Sequence, residues 1–191
     1  MSEHAAAQRH RRIAERFGCS VAGVAPEYWA APSPVAGWAA RDVVSHLVEW
    51  SRAFLASGAG VELPTGPSVR SDPAGAWAVH AAGVQALVDE PGDRVLSNPH
   101  IGEVPLADAI DRFYTSDVLM HTWDLARATR QDDRLDEAEC ATLLAGMEPL
   151  DRVLRDSGQY GARVPVPDTA PIQERLLGFI GRDPQWRPPA R

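Results

Sequence analysis

From Leu106 to about Thr129 apolar residues return every three or four positions, a pattern that a chain in water satisfies as a helix with one face buried. That face is not wholly apolar. The stripe Ile110, Phe113, Tyr114 runs on into Asp117 and His121, where an ordinary core helix carries Leu or Val. Burying an unpaired carboxylate or imidazolium is costly, so whatever packs on this helix must supply partners for both. Residues four apart on a helix are displaced by roughly 40° and about 6 Å, so the two side chains can converge on one atom. A divalent metal ion suits such a pair.

Other segments repeat the helical period. A first helix is predicted from about Ala5 to Val24, with Ile13, Phe17, Val21 and Val24 on its apolar face and Pro26 beyond its end. After a loop from Pro26 to Trp38, a second helix runs from about Ala40 to Ala56 with Val43, Leu47, Trp50 and Phe54 on one face. His46 falls between Val43 and Trp50 on that face and so points inward. A Pro- and Gly-broken loop from Gly58 to Ser71 leads to Asp72-Pro73, an N-cap followed by proline at the first helical position, and a third helix to about Val88. The stretch Ser97 to Pro105 is turn-rich, with room for a short extended piece.

Asp136 can cap a further helix with Cys140, Leu143, Leu144, Met147 and Leu150 as core residues, closed near Gly158. The strap Val164-Pro165-Val166-Pro167 precedes a last short helix, about Ile172 to Ile180, opened by Pro171 and stopped by Gly181. No segment alternates like a strand and no repeat occurs. The expectation is an all-α fold in one domain over residues 1–191: an antiparallel four-helix bundle with additional short helices and long loops.

With 191 residues, 45% of them hydrophobic, the chain can bury one substantial core. No apolar run approaches the roughly 18 residues of a membrane span, and Met1-Ser2-Glu3-His4 opens onto a basic helix, so a cytoplasmic protein without membrane contact is expected. A net charge of -7 argues against nucleic acid, which requires clustered Lys and Arg. The short cluster Arg9-His10-Arg11-Arg12, flanked by Glu3 and Glu15, reads as a solvated helix face. Cys19 and Cys140 have no metal or redox spacing and read as small core residues, so thiol chemistry would need a thiol from elsewhere.

His46, Asp117 and His121 are thus expected on inward faces of two helices. Two imidazoles and a carboxylate are common ligands of zinc, nickel or ferrous iron, and three protein ligands leave a position for water or substrate. The spacing is equally compatible with a buried Asp117–His121 pair and a His46 satisfied by a backbone carbonyl; convergence of the two helices decides between them. Asp124, one turn beyond His121, can orient a ligand through its second nitrogen, although pairing with Arg127 or Arg112 at the surface is the plainer expectation. Glu49 offers a fourth ligand but reads as solvated. His100 sits in a turn beside Pro99, exposed or structural, and His4, His10 and His80 form no constellation. Trp50 and Tyr114 are candidates for the wall of a cofactor pocket, as are Phe113 and Trp123, though aromatic stripes at helical spacing more often build core. Trp29, Trp38, Trp77 and Trp186 read as loop anchors or packing residues. No phosphate-binding glycine loop, nucleotide motif or nucleophile elbow is present.

The stretch from Trp38 through Arg41-Asp42-Val43-Val44-Ser45-His46-Leu47, the stretch from Phe113-Tyr114 through Asp117, His121, Trp123-Asp124 and Arg127, and the tail from Gly161 to Asp168 and Arg175 to Pro184 resemble the actinobacterial metal-binding branch of the DinB-like superfamily. This branch is similar to the N-terminal domain of mycothiol-dependent maleylpyruvate isomerase, and the likeness covers nearly the whole chain. The resemblance implies a four-helix bundle with a metal near one end, usually zinc or nickel, held by residues that fall on His46, Asp117 and His121. It further implies that the metal binds and deprotonates a low-molecular-weight thiol, mycothiol or bacillithiol, whose sulfur attacks an electrophile. Two departures qualify the transfer. The isomerase has Glu where this chain has the shorter Asp117, and it has a C-terminal domain that contributes to its active site, so maleylpyruvate isomerisation itself is not expected here.

The resemblance therefore implies a metal-dependent enzyme, a mycothiol-using S-transferase or isomerase acting on a small electrophilic metabolite, with zinc as the first choice of metal and mycothiol as thiol co-substrate. The alternatives are a non-catalytic metal-binding or stress protein and a ferrous enzyme, since two His and one carboxylate also describe oxygen-activating iron sites. Small helical bundles often dimerise, so a homodimer is an open expectation.

Overall fold

The computed structural model describes residues 3–99 and 101–189; His100 lies outside the described residues. The bundle consists of α1 (Glu3–Ala22), α2 (Ala40–Ala59), α3 (Pro73–Asp89) and α4, which runs on through Leu106–Ala109, Ile110–Thr115 and Ser116–Thr129. α1 packs on α3 and α4, and α2 packs on the same two helices. The directions follow from side-chain pairs. His46, Trp50 and Phe54 of α2 meet His121, Asp117 and Phe113 of α4 in that order, so the two run antiparallel. Phe17 of α1 stacks edge-on against Trp77 of α3 at 4.5 Å while Arg11 reaches Asp89, again antiparallel. Between them lie Val43, Val44, Leu47, Leu55, Val84, Tyr114, Val118, Trp123 and Leu125, all buried.

Local signals explain the helix ends. The Asp72 carboxylate accepts from Gly75 N at 2.8 Å and that of Asp136 from Glu139 N at 3.0 Å, each satisfying an orphan amide of a first turn. α2 runs one turn further than its apolar spacing indicates and stops at Gly60, whose φ of 63° suits glycine. Inside α4 the residues Ile110–Thr115 form a π-helical turn. No glycine or proline marks it in the sequence. The wider turn lets the consecutive side chains of Tyr114 and Thr115 reach two different helices, Tyr114 toward His80 of α3 and Thr115 toward His10 of α1.

Several expectations are corrected. The stretch before α4 forms an antiparallel hairpin, β1 (Val95–Asn98) with β2 (Gly102–Pro105), in register from Val95↔Pro105 to Asn98↔Gly102. Strands of four residues, with Leu96 alone fully buried, are too short to show alternation. Leu96 seats against Gly58 of α2, where a Cβ would come within 2.8 Å of Leu96 Cγ. The helix opened by Asp136 breaks at Pro149 into α5 (Glu137–Met147), a 3-10 turn and α6 (Asp151–Asp156), and the break turns Leu150 outward, 47% exposed, instead of into the core. The last helix, α7 (Ile172–Phe179), packs on α5. Cys19 is exposed on α1, not a core residue; Cys140 is buried, and burial first, then the charges of Asp136, Glu139 and Glu137, pushes its thiol up to about 11.

The cluster Arg9-His10-Arg11-Arg12 is a solvated face only in part. Arg9 is largely buried and joins Asp111 at 2.9 Å to Glu139 at 2.6 Å, and His10 is 0% exposed, whereas Arg11, paired with Asp89, and Arg12, which also binds Glu139, stay exposed. No helix among the described residues is long and apolar enough to cross a membrane. The architecture is all-α around a four-helix bundle, with one short hairpin at its edge.

Candidate metal centre

The site forms where the N-terminal half of α2 crosses the middle of α4. His46 stands at the edge of the buried stripe of α2, its side chain 30% exposed, while Asp117 and His121 occupy successive turns of α4. His46 Nε2 lies 3.1 Å from Asp117 Oδ2 and His121 Nε2 lies 3.5 Å from Asp117 Oδ1. One ligand atom from each of the three residues falls within 4.8 Å of the others. Ligand atoms around a tetrahedral ion at about 2.1 Å stand roughly 3.4 Å apart, close to the two carboxylate–imidazole separations. The donor set and spacing fit a divalent ion.

Asp117 and His121 are themselves held by further hydrogen bonds. The Trp50 indole N–H donates to Asp117 Oδ2 at 2.8 Å. His121 Nδ1 lies 2.8 Å from Asp124 Oδ2, which leaves Nε2 turned to Asp117. Asp124 is fully buried and accepts two hydrogen bonds from Arg182, Nε to Oδ1 at 2.9 Å and Nη2 to Oδ2 at 3.1 Å. The expected surface pairing of Asp124 with Arg127 or Arg112 is thereby corrected. Arg127 binds Asp133 and lies over the Trp123 ring, and Arg112 lies over Phe113. An α4 residue at i+3 from His121 faces inward, where a bare carboxylate demands a buried cation.

Charge follows this geometry. Burial alone would lift Asp117, but His121 and the hydrogen bonds from His46 and Trp50 outweigh it and hold the carboxyl below its usual range. Asp124 is held low in the same way, burial being overcome by His121 and Arg182. Burial would depress His121, yet Asp117 and Asp124 raise it above the ordinary imidazole value. Without metal, the cluster is a charged network.

Aromatic rings surround it. Trp38 lies at 20° and 5.7 Å to the His121 ring and 4.9 Å from His46, so it caps both imidazoles, a contact its place in the loop before α2 does not disclose. Trp50 is part of the site. Tyr114, by contrast, is 1% exposed, touches Trp50 edge-on at 6.0 Å and turns its hydroxyl to His80 Nε2 at 2.9 Å, so it backs the site and is closed to solvent. Phe113 and Trp123 pack in or against the core. Glu49 is exposed and accepts from Ser45 at 3.1 Å, away from the ligand triad, as expected.

Sequence reading missed three features. Arg182, 58 positions from Asp124, has no spacing relation to it. Trp38 is the second. The third is a neutral polar cluster: His10 Nδ1 lies 2.8 Å from Thr115 Oγ1, and His80 Nε2 lies 3.0 Å from Ser51 Oγ and 2.9 Å from Tyr114 Oη. A usable signal existed, because His10 keeps helical spacing with Ile13 and Phe17, and His80 with Trp77 and Val84.

Residues 10–126 match the model of the mycothiol maleylpyruvate isomerase N-terminal domain, a span that includes His46, Asp117, His121 and Asp124 but not Arg182. Two proteins of Mycobacterium tuberculosis, from two strains and both named as uncharacterized, are each 30% identical over 179 residues, covering 91% of this chain and 95% of the relative. No solved structure matches the chain significantly.

Proposed function

Because this chain belongs to the family of the mycothiol maleylpyruvate isomerase N-terminal domain, we propose that His46, Asp117 and His121 hold a divalent cation, zinc first, and that the protein is a thiol transferase or isomerase that brings mycothiol to a small electrophile. One observation carries the reading: the three ligand atoms converge within 4.8 Å while the second nitrogen of His121 is already occupied by Asp124. When bound, such an ion supplies the positive charge that keeps a thiol ionised near neutral pH.

The chain's own residues do the rest. Asp117 brings one negative charge and two neutral imidazoles bring none, so a dication held there keeps a net charge of about +1, the complement of one thiolate. Trp50 fixes the carboxylate, Asp124 fixes the His121 tautomer, and Trp38 shields one side of both rings from water. The partly exposed His46 leaves a way in from solvent. No protein thiol is needed, and buried Cys140 is a poor nucleophile with its thiol raised to about 11.

His121→Ala should lose metal on dialysis where the wild type keeps about one equivalent, as read by elemental analysis; undiminished metal in that variant would remove the basis of the reading. The metal-loaded protein should conjugate mycothiol to monochlorobimane faster than the metal-free control, and no excess rate would favour a non-catalytic metal-binding protein. The same donor set also describes ferrous sites; iron in protein from its native host would favour that third reading.

A further inference from the structure

We propose that Arg182 is a positioning residue of the metal centre, acting through Asp124 to keep the His121 Nδ1 proton in place and Nε2 directed at Asp117. This role presupposes the metal centre proposed above. Arg182 lies 58 positions from Asp124 in the chain, and the helix end that delivers it is closely fixed. After α7 the amide of Gly181 donates to Gly178 O at 3.2 Å and that of Arg182 to Leu177 O at 2.8 Å, the paired bonds of a Schellman end with Gly181 in the left-handed region at φ 83°.

The strap over residues 161–166 presses on the same turn. A Cβ on Gly181 would meet Ala162 O at 3.0 Å and Gly161 Cα at 3.1 Å, and one on Gly178 would meet Val166 Cγ2 at 2.5 Å and Val164 O at 2.7 Å. Val164 N also donates to Gly178 O at 2.9 Å. Both glycines are therefore needed for the strap to close on the helix end, and that closure fixes where Arg182 leaves the backbone. Its guanidinium then makes a two-point contact with a carboxylate that is 0% exposed, a geometry lysine cannot reproduce.

The physical need is specific. Without the Arg182 guanidinium the Asp124 carboxylate loses the two hydrogen bonds that fix it and is free to turn from His121, which releases the imidazole to its other tautomer or ring orientation. With Arg182 in place the Asp124–Arg182 pair is neutral as a unit, so the carboxylate orients His121 without adding net charge to the centre.

The test is zinc affinity, measured on the full chain by competition with a chromophoric chelator, alongside circular dichroism. Arg182→Ala should weaken zinc binding roughly tenfold with helicity unchanged, and Arg182→Lys should fall between it and the wild type. In an Asp124→Asn background, Arg182→Ala should cost less than twofold more, because the residue it acts through is already altered. Selective 15N labelling of histidine in the metal-free protein, recorded above the pH at which His121 gives up its second proton, provides a further readout: His121 protonated at Nδ1 in the wild type, and a mixture in Arg182→Ala. Wild-type affinity with an unchanged His121 spectrum in Arg182→Ala, or additive losses in the double variant, would overturn the role. Should Arg182→Ala not fold, Arg182→Lys and the nitrogen spectrum decide alone. His121→Ala run in parallel separates the two ideas: metal loss there with no effect at Arg182 removes this inference and leaves the centre standing.

Discussion

Two polar clusters lie within one helix turn of each other on α4, and both are built on buried imidazoles, yet they carry opposite electrostatics. At one, His121 faces the carboxylates of Asp117 and Asp124, with Arg182 completing a charged network. At the other, His10 and His80 face the hydroxyls of Thr115, Ser51 and Tyr114. His121 is raised above the ordinary imidazole range even though burial pulls it down, whereas burial, helped by the charges of Arg9 and Arg52, pushes His10 and His80 each down to about 4. Partner chemistry, not depth, separates a group of residues suited to a cation from one suited to holding the core together. The π turn Ile110–Thr115 serves both, since it aims Tyr114 and Thr115 at the neutral cluster just before α4 presents Asp117 to the charged one.

The contrast can be broken most severely at Asp124. Asp124→Ala removes the buried partner of a largely covered guanidinium and frees His121, and should destabilise the metal-free protein by about 3 kcal/mol in urea unfolding. A loss under about 1 kcal/mol would mean that the network stores little energy.

The pH dependence sharpens the contrast. His10 and His80 have folded values near 4, below the unfolded 6.5, so the unfolded chain binds more protons between those values. Their contribution is present above about pH 6.5 and lost as the pH falls toward 4, by about 2–3 kcal/mol for each. His121 has the opposite sign, contributing below pH 6.5 and losing that contribution as the pH rises through its raised folded value. Urea titrations at pH 7 and pH 4.5 should show a steep acid loss in the wild type that a His10→Gln, His80→Gln double variant flattens; an unchanged slope would place the acid sensitivity elsewhere.

The smallest effects distinguish the clusters by what they leave alone. Tyr114→Phe should cost about 1–2 kcal/mol and leave zinc affinity within twofold, because its hydroxyl serves His80. Trp50→Phe should cost about 1 kcal/mol and weaken zinc severalfold, because its indole N–H serves Asp117. Equal metal effects from the two would erase the functional boundary between the clusters.

Much of this was legible in the residues. Apolar periodicity marked the helices of the bundle, Asp72 and Asp136 marked two N-termini, and an acid and an imidazole on the stripe of α4 pointed, together with His46, to a cluster whose geometry could hold a metal ion. The same reasoning applied to His10 and His80 places both inside, since both sit on apolar stripes of their own helices, but it does not name the hydroxyls they meet. The π turn and the hairpin are not legible, because wide turns carry no residue signature and four-residue strands show no period; the break at Pro149 is legible, because a proline inside a helical pattern interrupts it.

Sequence alone determined most of the apolar face that each bundle helix buries and, through the spacing of four between Asp117 and His121, that these two share a helix face. Only the tertiary structure decided their partners. Charge pairing and hydrogen bonding join residues far apart along the chain, Arg182 to Asp124 and His10 to Thr115, and no local spacing encodes which distant group arrives beside a buried polar side chain.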